Sequence, residues 1–443
     1  MRIPMKTAST KLADFRPFRA WRYNLDKVKM SEVMAPPYDV ISPSAQDALY
    51  QKSPFNCIRL ILNKEEAADN DTANRYTRAK SFFETWQAQQ LLMQENKPAF
   101  YFYRQTFVHP EFKKSCHRSA LLGRIKLASF DKQIVIPHEK TLSKPRADRR
   151  RLLEATKTNF SPVFGLYEHE LSSKNELEAL VSQKPLFEAT DHENVHHAVW
   201  VITDEKMIEA IQESLAAQRI YIADGHHRYQ TSLEYAAEQR KARGISEDEE
   251  IDSDFTLMAL VHFYDPGMAL LPTHRMILPF PGYDMEKCLK ALEPVFTIES
   301  MGFEQIRATL ETASKKTQIG LYFENGKTFL LTLKDLEAAK KWMPVGKAPL
   351  WYELDVALIS HCMLGGLWKV PESDWESTIR YTHSTEEALE QVKQKRCAVT
   401  CFVRAPRVEL LRDMGAHKEL LPQKSTYFYP KLASGLVFHQ HQK

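Results

Sequence analysis

A turn rich in histidine and arginine follows a short apolar segment near the middle of the chain. It reads Asp224-Gly225-His226-His227-Arg228 and joins a strand-like segment, 219–223, to a helix-like one, 228–243. The first turn of a helix offers unpaired N–H donors and a partial positive charge, and Gly225 lets the backbone approach a ligand closely. Arg228 can bind a phosphate with two donors, and the histidines add further donors. The sequence therefore predicts a phosphate-binding turn, called the 224–228 turn below; the alternative is that Asp224 is an N-cap and the histidines lie at the surface.

A second group of candidates surrounds Glu139. This residue follows the strand-like 133–136 and precedes a run of basic residues that includes Lys144 and Arg149. Loops at strand ends often form sites, so Glu139 is a candidate general base or metal ligand, and the two cations are candidate phosphate contacts. A solvated basic helix start explains the same residues equally well. The His138-Glu139 pair lacks the HExxH spacing, which excludes a zinc protease of that type.

Three further segments carry single candidates. Asp39 follows a rigid Pro-Pro-Tyr entry, which presents its carboxylate to a pocket or makes a tight turn. His274 and Arg275 follow an apolar strand, and Lys424 lies near the C-terminus. Each of these segments taken alone is more often structural than functional. The phosphate loop GxxxxGK[ST], the dinucleotide motif GxGxxG and the nucleophile motif GxSxG are missing, which disfavours the enzyme classes that depend on them.

Composition limits the remaining classes. The 443 residues include 60 Lys and Arg against 57 Asp and Glu, a net charge of +3 that is spread along the chain, which disfavours nucleic acid as a partner. The first residues lack the apolar stretch of a secretory signal, and the longest apolar run, Phe255–Tyr264, is too short to cross a membrane. Six scattered cysteines fit reduced thiols. We therefore expect a cytoplasmic protein with no membrane span.

Strand-like and helix-like segments alternate along the chain, which predicts a mixed α/β (α+β) fold. The turn Pro281-Gly282 suggests two domains, 1–280 with the 224–228 turn and 281–443 as a second α/β domain. The tail 421–438 is rich in aromatic residues, and we expect it to return to the site. The helix-like segment 353–364 is almost entirely apolar.

Several ordered blocks make the chain resemble the prokaryotic domain-of-unknown-function 1015 family. This resemblance spans most of the chain but brings no settled activity; members tend to be encoded near serine-biosynthesis genes. The matching blocks are 35–42, His138-Glu139 with Thr141, Asp148-Arg149, Asn159 with Ser161-Pro162, 164–167, 223–229, 265–267, 271–275 and 421–431.

The 224–228 turn is also similar to the phosphate-binding turn of the ParB/sulfiredoxin-like superfamily, which includes free-serine kinases. That resemblance implies a phosphate-binding core with a large insertion, because the segment at Asp39 lies much farther from the turn than in small members. It also implies that sulfinic-acid reduction is absent, because His226 stands where sulfiredoxin has its reactive cysteine.

Together these features predict a nucleotide-dependent, kinase-like phosphotransferase that acts on a small hydroxylated metabolite, with serine as a candidate. ATP or ADP would bring the phosphate, and Mg²⁺ would bridge it to Asp224 or Glu139. The catalytic candidates are Glu139, Asp39, Asp224 and His227. The phosphate- or nucleotide-binding candidates are Gly225, His226, His227, Arg228, Lys144, Arg149, His274, Arg275 and Lys424.

Three alternatives stay open. A phosphatase of a small phosphometabolite such as phosphoserine would use the same phosphate contacts with water as the acceptor. A non-catalytic regulator would bind the nucleotide without turnover. A metal site built from Asp224, His226 and His227 is disfavoured, because adjacent histidines seldom point at one ion.

Overall fold

The structure is a computed structural model that describes residues 12–139, 143–246, 248–312 and 316–442, with the backbone alone for 143–145. The chain divides into two compact units. The first unit contains the chain up to Pro137, Thr141–Ala269 and Pro430–Lys443, and the second contains His138–Lys140 and Leu270–Tyr429. Within these described ranges, no helix combines the length and the apolar character that a membrane crossing requires.

A mixed sheet, nine-stranded over the described residues, forms the centre of the first unit. Two pairings are parallel, 220–221 with 135–136 and 258–262 with 163–167, and the others are antiparallel. In spatial order its strands are Val135–Ile136, Ile220–Asp224, Val163–Tyr167, Phe255–His262, Ser115–Lys126, Phe100–Val108, His196–Ile202 and Phe187–Thr190, and Phe15–Arg16 pairs with Ser115–Lys126.

The central strands are apolar along their whole length. Every residue of Val163–Tyr167 is buried, and so is every residue of Phe255–His262 except the last. Strands covered on both faces have such continuous apolar runs, whereas half-exposed strands alternate. The strand Ile220–Asp224 is buried up to Ala223 and half-buried at Asp224. Its polar end therefore emerges from the core, and this is where the 224–228 turn begins.

Helices pack against this sheet and supply the rest of the core. Ile211 and Leu215, on one face of the helix Glu205–Ala216, are fully buried in the same cluster as Ile220 and Ile222. The helices of the first unit are Met30–Val33, Pro43–Lys52, Ile58–Ile61, Arg75–Ala88, Ser143–Thr156, Lys174–Ala179, Glu205–Ala216 and His226–Arg243, with 3₁₀ turns at Tyr38–Val40, Phe130–Lys132, Leu180–Ser182 and Asp252–Asp254.

Two small strand pairs complete the first unit. Trp21–Tyr23 pairs with Leu92–Gln94, and Thr158–Asn159 pairs with His439–Gln440. In the second pair, His439 follows Phe438, and the side chains of both residues are buried. Phe438 and His439 are thus part of the first unit's core.

The second unit is built on an antiparallel sheet, six-stranded within the part of the chain described. Its strands in spatial order are Phe296–Ser300, Thr328–Leu333, Gln318–Phe323, Val399–Phe402, His274–Ile277 and Ile379–Thr382, with further short strands at Ala269–Leu271 and Tyr427–Tyr429. Its helices are Met285–Leu292, Phe303–Glu311, Leu336–Lys340, Pro349–Tyr352, Asp355–Ala357, Trp375–Thr378, Thr385–Lys393 and Glu409–Ala416, with a π-helix at Leu358–Leu367 and a 3₁₀ turn at Glu372–Asp374.

The mixed α/β architecture predicted from the sequence is confirmed. Two elements differ from their predicted bounds. The helix predicted to begin at Arg228 begins at His226, because Gly225 makes the whole turn. The apolar helix predicted over 353–364 is divided into Asp355–Ala357 and the π-helix Leu358–Leu367. A segment that is apolar on every face has no periodicity to reveal where its hydrogen-bond pattern changes.

Candidate phosphate-binding site

Gly225 alone makes the turn between the strand Ile220–Asp224 and the helix His226–Arg243. Its φ of 89° lies in the left-handed region, which glycine adopts without a steric penalty. The strand's pairing with Val163–Tyr167 is irregular between Ile222 and Asp224, and such a bulge re-aims a side chain. Gly225 rather than Asp224 is the N-cap, so the alternative interpretation of Asp224 as the cap is wrong.

The amide groups of the turn lie at the helix N-terminus. Tyr229 N donates to Gly225 O at 3.0 Å, which is the i to i−4 bond expected at the start of a helix. In an α-helix, the N–H groups of the first residues precede the first bond of this kind. Because the helix runs for 18 residues, its dipole adds a partial positive charge at this end. The turn therefore has the backbone arrangement that favours an anion.

Asp224 is held between two cations. Its Oδ2 accepts a hydrogen bond from Arg228 at 2.7 Å, and its Oδ1 accepts one from Lys431 Nζ at 3.0 Å. Burial alone would raise the pKa of the Asp224 carboxyl, but the charges of Lys431, Arg228 and His226 hold that pKa well below its usual range. Asp224 is therefore ionised at neutral pH and orients two cations at the turn, a state unsuited to a general base.

Lys431 reaches Asp224 from the C-terminal segment because two buried side chains fix the backbone beside it. Arg118, which is 1% exposed, donates to Pro430 O and to Gln105 Oε1, the latter at 2.6 Å. Gln105 in turn donates to Lys431 O at 2.9 Å. Two consecutive carbonyl groups are thus bound by residues of neighbouring strands. The position of the Lys431 ammonium is set by the core of the first unit.

Arg228 joins the turn to a neighbouring loop. Besides Asp224, its guanidinium donates to Pro162 O, and its side chain is 12% exposed. Its Nε is buried and has no hydrogen-bond partner among the described residues. A buried donor without an acceptor is costly, and a bound anion can satisfy it.

A crevice opens beside Arg228. Its cavity volume is ≈ 50 Å³. Most of its polar lining comes from the segment 158–161 and from the helix that carries Arg228. The lining residues are Tyr38, Ile61, Arg149, Leu152, Leu153, Thr158, Asn159, Phe160, Ser161, Arg228, Thr231, Ser232 and Thr256.

One wall of the crevice is an arginine stacked on a tyrosine. The Arg149 guanidinium carbon lies 3.8 Å from the centre of the Tyr38 ring. Arg149 also donates to Asp148 Oδ2 at 2.7 Å and to Ile61 O at 2.7 Å, so most of its donors are engaged inside the protein. Burial raises the pKa of Tyr38 to about 12, and the phenol stays neutral. The two side chains form a fixed polar and aromatic wall.

The other candidates of the first unit lie at the edge of this arrangement. His226 is 6% exposed, and His227 is half-buried beside it. Asp39 is exposed in the 3₁₀ turn Tyr38–Val40, next to the crevice residue Tyr38. The side chain of Lys144 falls outside the described part of the structure, as does Thr141.

Glu139 and Lys424 belong to the second unit, where the structure brings them together. Lys424 N donates to Glu139 Oε1 at 3.3 Å, and Glu139 forms an isolated parallel bridge with Leu421. His138, the neighbour of Glu139, pairs its Nε2 with Thr426 Oγ1 at 2.9 Å. The predicted segments around Glu139 and Lys424 are therefore neighbours within this unit.

His274 and Arg275 are core residues of the second unit. His274 is 3% exposed and uses both ring nitrogens, Nε2 with Thr385 Oγ1 at 3.0 Å and Nδ1 as acceptor from Val403 N at 3.3 Å. Burial and the charge of Arg275 lower the pKa of His274 to about 3, so the ring is neutral at pH 7. Arg275 is 1% exposed and donates to Thr273 O and Lys424 O. The hydrogen bonds and burial of His274 and Arg275 do not support the predicted contact of either residue with a phosphate group.

Asp224 is not free to bind Mg²⁺ directly. Both of its oxygens accept hydrogen bonds from cations. Among the residues whose placement is described, no group of three His, Cys, Asp or Glu could hold a metal ion by itself. The predicted ligation of Mg²⁺ by Asp224 does not fit these contacts, and ligation by Glu139 stays a prediction.

Lys431 and Tyr38 are site residues that the sequence alone does not predict. Both lie inside blocks shared with the family, Tyr38 in 35–42 and Lys431 in 421–431. Nothing in the residues next to Lys431 points to its partner Asp224, which is 207 positions away in the chain. Such a pairing becomes visible only in the folded chain.

Comparison with solved structures finds remote similarities. A conserved hypothetical protein from Pyrococcus furiosus is 13% identical, with 68% of this chain and 89% of that chain covered and a TM-score of 0.33. A free serine kinase in complex with AMP is 13% identical, with 67% and 83% covered and a TM-score of 0.34. SbnI with a C-terminal truncation, from Staphylococcus aureus, is 11% identical, with 71% and 85% covered and a TM-score of 0.34. At these values the similarities leave the activity of this chain to be argued from its own residues.

Curated proteins give no match to the chain. A family model matches residues 15–357, which is most of the sequence and includes the 224–228 turn with its strand and helix. The chain therefore belongs to the family described as protein of unknown function (DUF1015).

Proposed function

We propose that the first unit binds the phosphate groups of ATP or ADP at the 224–228 turn and transfers a phosphoryl group to the hydroxyl of a small metabolite. The observation that carries this proposal is the pair of cations, Arg228 and Lys431, oriented by one carboxylate at the N-terminus of a long helix. Two cations and the positive end of the helix dipole therefore lie together at this end of the helix, which favours the binding of a phosphate group.

In phosphoryl transfer, a protein mainly positions the reacting groups and stabilises the charge of the transferred group. In the proposed step, the acceptor oxygen forms a bond to the terminal phosphorus, and the bond from that phosphorus to the leaving nucleotide oxygen breaks. Arg228, Lys431 and the amides of the turn would stabilise the charge on the phosphoryl oxygens. The crevice beside Arg228, with Tyr38 and Arg149 as its wall, would hold part of the nucleotide.

The acceptor hydroxyl must lose its proton in this step. Asp39 is the carboxylate we propose for it, because it is exposed and adjacent to the crevice residue Tyr38. Mg²⁺ would accompany the nucleotide and neutralise its phosphates. The similarity of the 224–228 turn to that of free-serine kinases makes serine the first acceptor to test.

The test is a turnover assay with purified protein, ATP or ADP, Mg²⁺ and L-serine, in which phosphoserine and the product nucleotide are measured together. We expect serine-dependent formation of both in equal amounts. Asp39→Asn should lose turnover while it keeps nucleotide binding. Arg151→Ala is the matched control, because Arg151 lies exposed on the same helix as Arg149 and outside the crevice.

Two results would redirect the assignment. Phosphate release from phosphoserine without any nucleotide would indicate the phosphatase. Nucleotide binding with no turnover of any small hydroxylated acceptor would indicate the regulator. Absence of both turnover and a thermal shift with every nucleotide would overturn the proposal.

A further inference from the structure

The second unit has a pocket of its own beside its π-helix. Its empty volume is ≈ 940 Å³, open solvent included, and every lining residue belongs to the second unit. It lies between the π-helix Leu358–Leu367 and the segments before and after it. The lining residues are Lys341, Trp342, Met343, Pro344, His361, Gly365, Gly366, Lys369, Val370, Pro371, Glu372 and Trp375.

Two glycines of the π-helix make room for indole rings. A Cβ at Gly366 would lie 2.5 Å from the Cβ of Trp342, so only glycine lets that tryptophan lie against the helix. A Cβ at Gly365 would lie 3.1 Å from a ring carbon of Trp375. Trp342 remains 41% exposed, a large apolar surface to leave in water. π-Helical turns cost stability and occur frequently at functional sites.

Cationic and imidazole groups complete the pocket. Lys341 and Lys369 have no ion-pair partner among the described residues, and the Lys369 ammonium lies 3.9 Å from the centre of the Trp342 ring. Lys369 has a φ of 60°, an unusual conformation for a residue with a side chain. Against these two cations the lining contains one carboxylate, Glu372.

His361 is the polar group inside the pocket. Its ring contacts Trp351 and Trp375, with ring centres 5.5 and 5.2 Å apart. It makes no hydrogen bond to any described residue, so a ligand can supply one. Burial lowers the pKa of His361, and the neutral ring offers one donor and one acceptor at pH 7.

We propose that this pocket binds a small planar anion, an aromatic or conjugated carboxylate, with its ring against Trp375 and its charge between Lys341 and Lys369. The two indoles select a flat apolar body, and the excess of cations selects a negative charge. His361 would take a hydrogen bond with the same ligand. The proposal is independent of the phosphotransferase assignment, since no residue of the 224–228 turn takes part.

The test is calorimetric titration of the full chain with naphthalene-2-carboxylate. Two comparison ligands separate the contribution of the flat ring to the affinity from that of the negative charge. Naphthalene-2-carboxamide has the ring without the charge, and cyclohexanecarboxylate has the charge without the flat ring. We expect a dissociation constant of about 1 mM or lower for naphthalene-2-carboxylate. The dissociation constants of the other two compounds should be at least about fivefold higher. Equal binding of the acid and the amide would overturn the proposal, as would no binding of the acid.

The variant Lys341→Gln/Lys369→Gln locates the site, and both side chains are exposed, so the fold should be preserved. It should bind the acid about fivefold more weakly. Lys418→Gln is the matched control, because Lys418 is also exposed with a positive φ and lies outside the pocket. Arg228→Ala should bind the acid as the wild type does. Equal affinity in the double variant and the wild type would contradict the assignment.

Discussion

Lys431 Nζ lies 3.0 Å from Asp224 Oδ1, although the two residues are 207 positions apart in the chain. The pairing brings the C-terminal segment to the 224–228 turn, and Arg118 and Gln105 fix that segment through its carbonyl groups. Asp224 therefore has two cations to orient, Lys431 and Arg228.

Asp224→Asn should destabilise the first unit, because it leaves two largely buried cations without their carboxylate. The expected loss is roughly 3 kcal/mol in the free energy of unfolding at pH 7. The folded pKa of Asp224 lies below its ordinary value of 3.8, so its stabilisation is complete above that value and is lost as pH falls through the folded pKa. Denaturant unfolding between pH 7 and pH 2 should show the wild type approaching the variant at the acid end. A difference that stayed constant with pH would contradict the ionised role of Asp224.

Gly225→Ala should reduce both stability and nucleotide binding. A side chain at φ 89° costs about 1–2 kcal/mol, and its Cβ would lie 3.0 Å from the Arg228 guanidinium. Gly244→Ala is a matched control, because Gly244 has φ 65° at the other end of the same helix with nothing within 4 Å of a new Cβ. Both variants should unfold more easily, and only Gly225→Ala should weaken nucleotide binding in titrations. Equal affinity in the two would show that the turn does not contact the ligand.

Arg149→Lys should lower the melting temperature, although the charge is kept. A lysine lacks the planar guanidinium that donates two hydrogen bonds to Asp148 while it stacks on the Tyr38 ring. Arg151→Lys, on the same helix but exposed, should melt with the wild type. If the two variants melted together, the wall of the crevice would not depend on the Arg149 guanidinium.

Much of the first unit's centre follows from its sequence. The continuous apolar runs predict strands over 163–167 and 255–263, which the structure has as Val163–Tyr167 and Phe255–His262, and Gly225 between a strand and a helix predicts the turn. These features are local, because each depends on residues a few positions apart. Nothing local shows that His274 is buried and hydrogen-bonded on both nitrogens, so a histidine next to an arginine suggested a phosphate contact.

The contacts that complete the site are long-range. Lys431 with Asp224 and Arg149 with Tyr38 depend on how the sheet and helices bring distant segments together. The π-helix escaped prediction for another reason: its apolar residues are compatible with any helical hydrogen-bond pattern. Burial and pairing, rather than residue type, separate the site residues from the structural ones.

We propose that a phosphate group binds at the 224–228 turn between Arg228 and Lys431. The decisive experiment is calorimetric titration with ATP and with ADP, each with Mg²⁺, in which the wild type, Arg228→Ala, Lys431→Met and the control Arg151→Ala are compared. A charge-assisted hydrogen bond is worth about 1.5–3 kcal/mol, so each site variant should bind at least about tenfold more weakly, and the control should match the wild type. Nucleotide affinity unchanged in both site variants, with the fold intact, would show that the phosphate group does not bind between these two side chains.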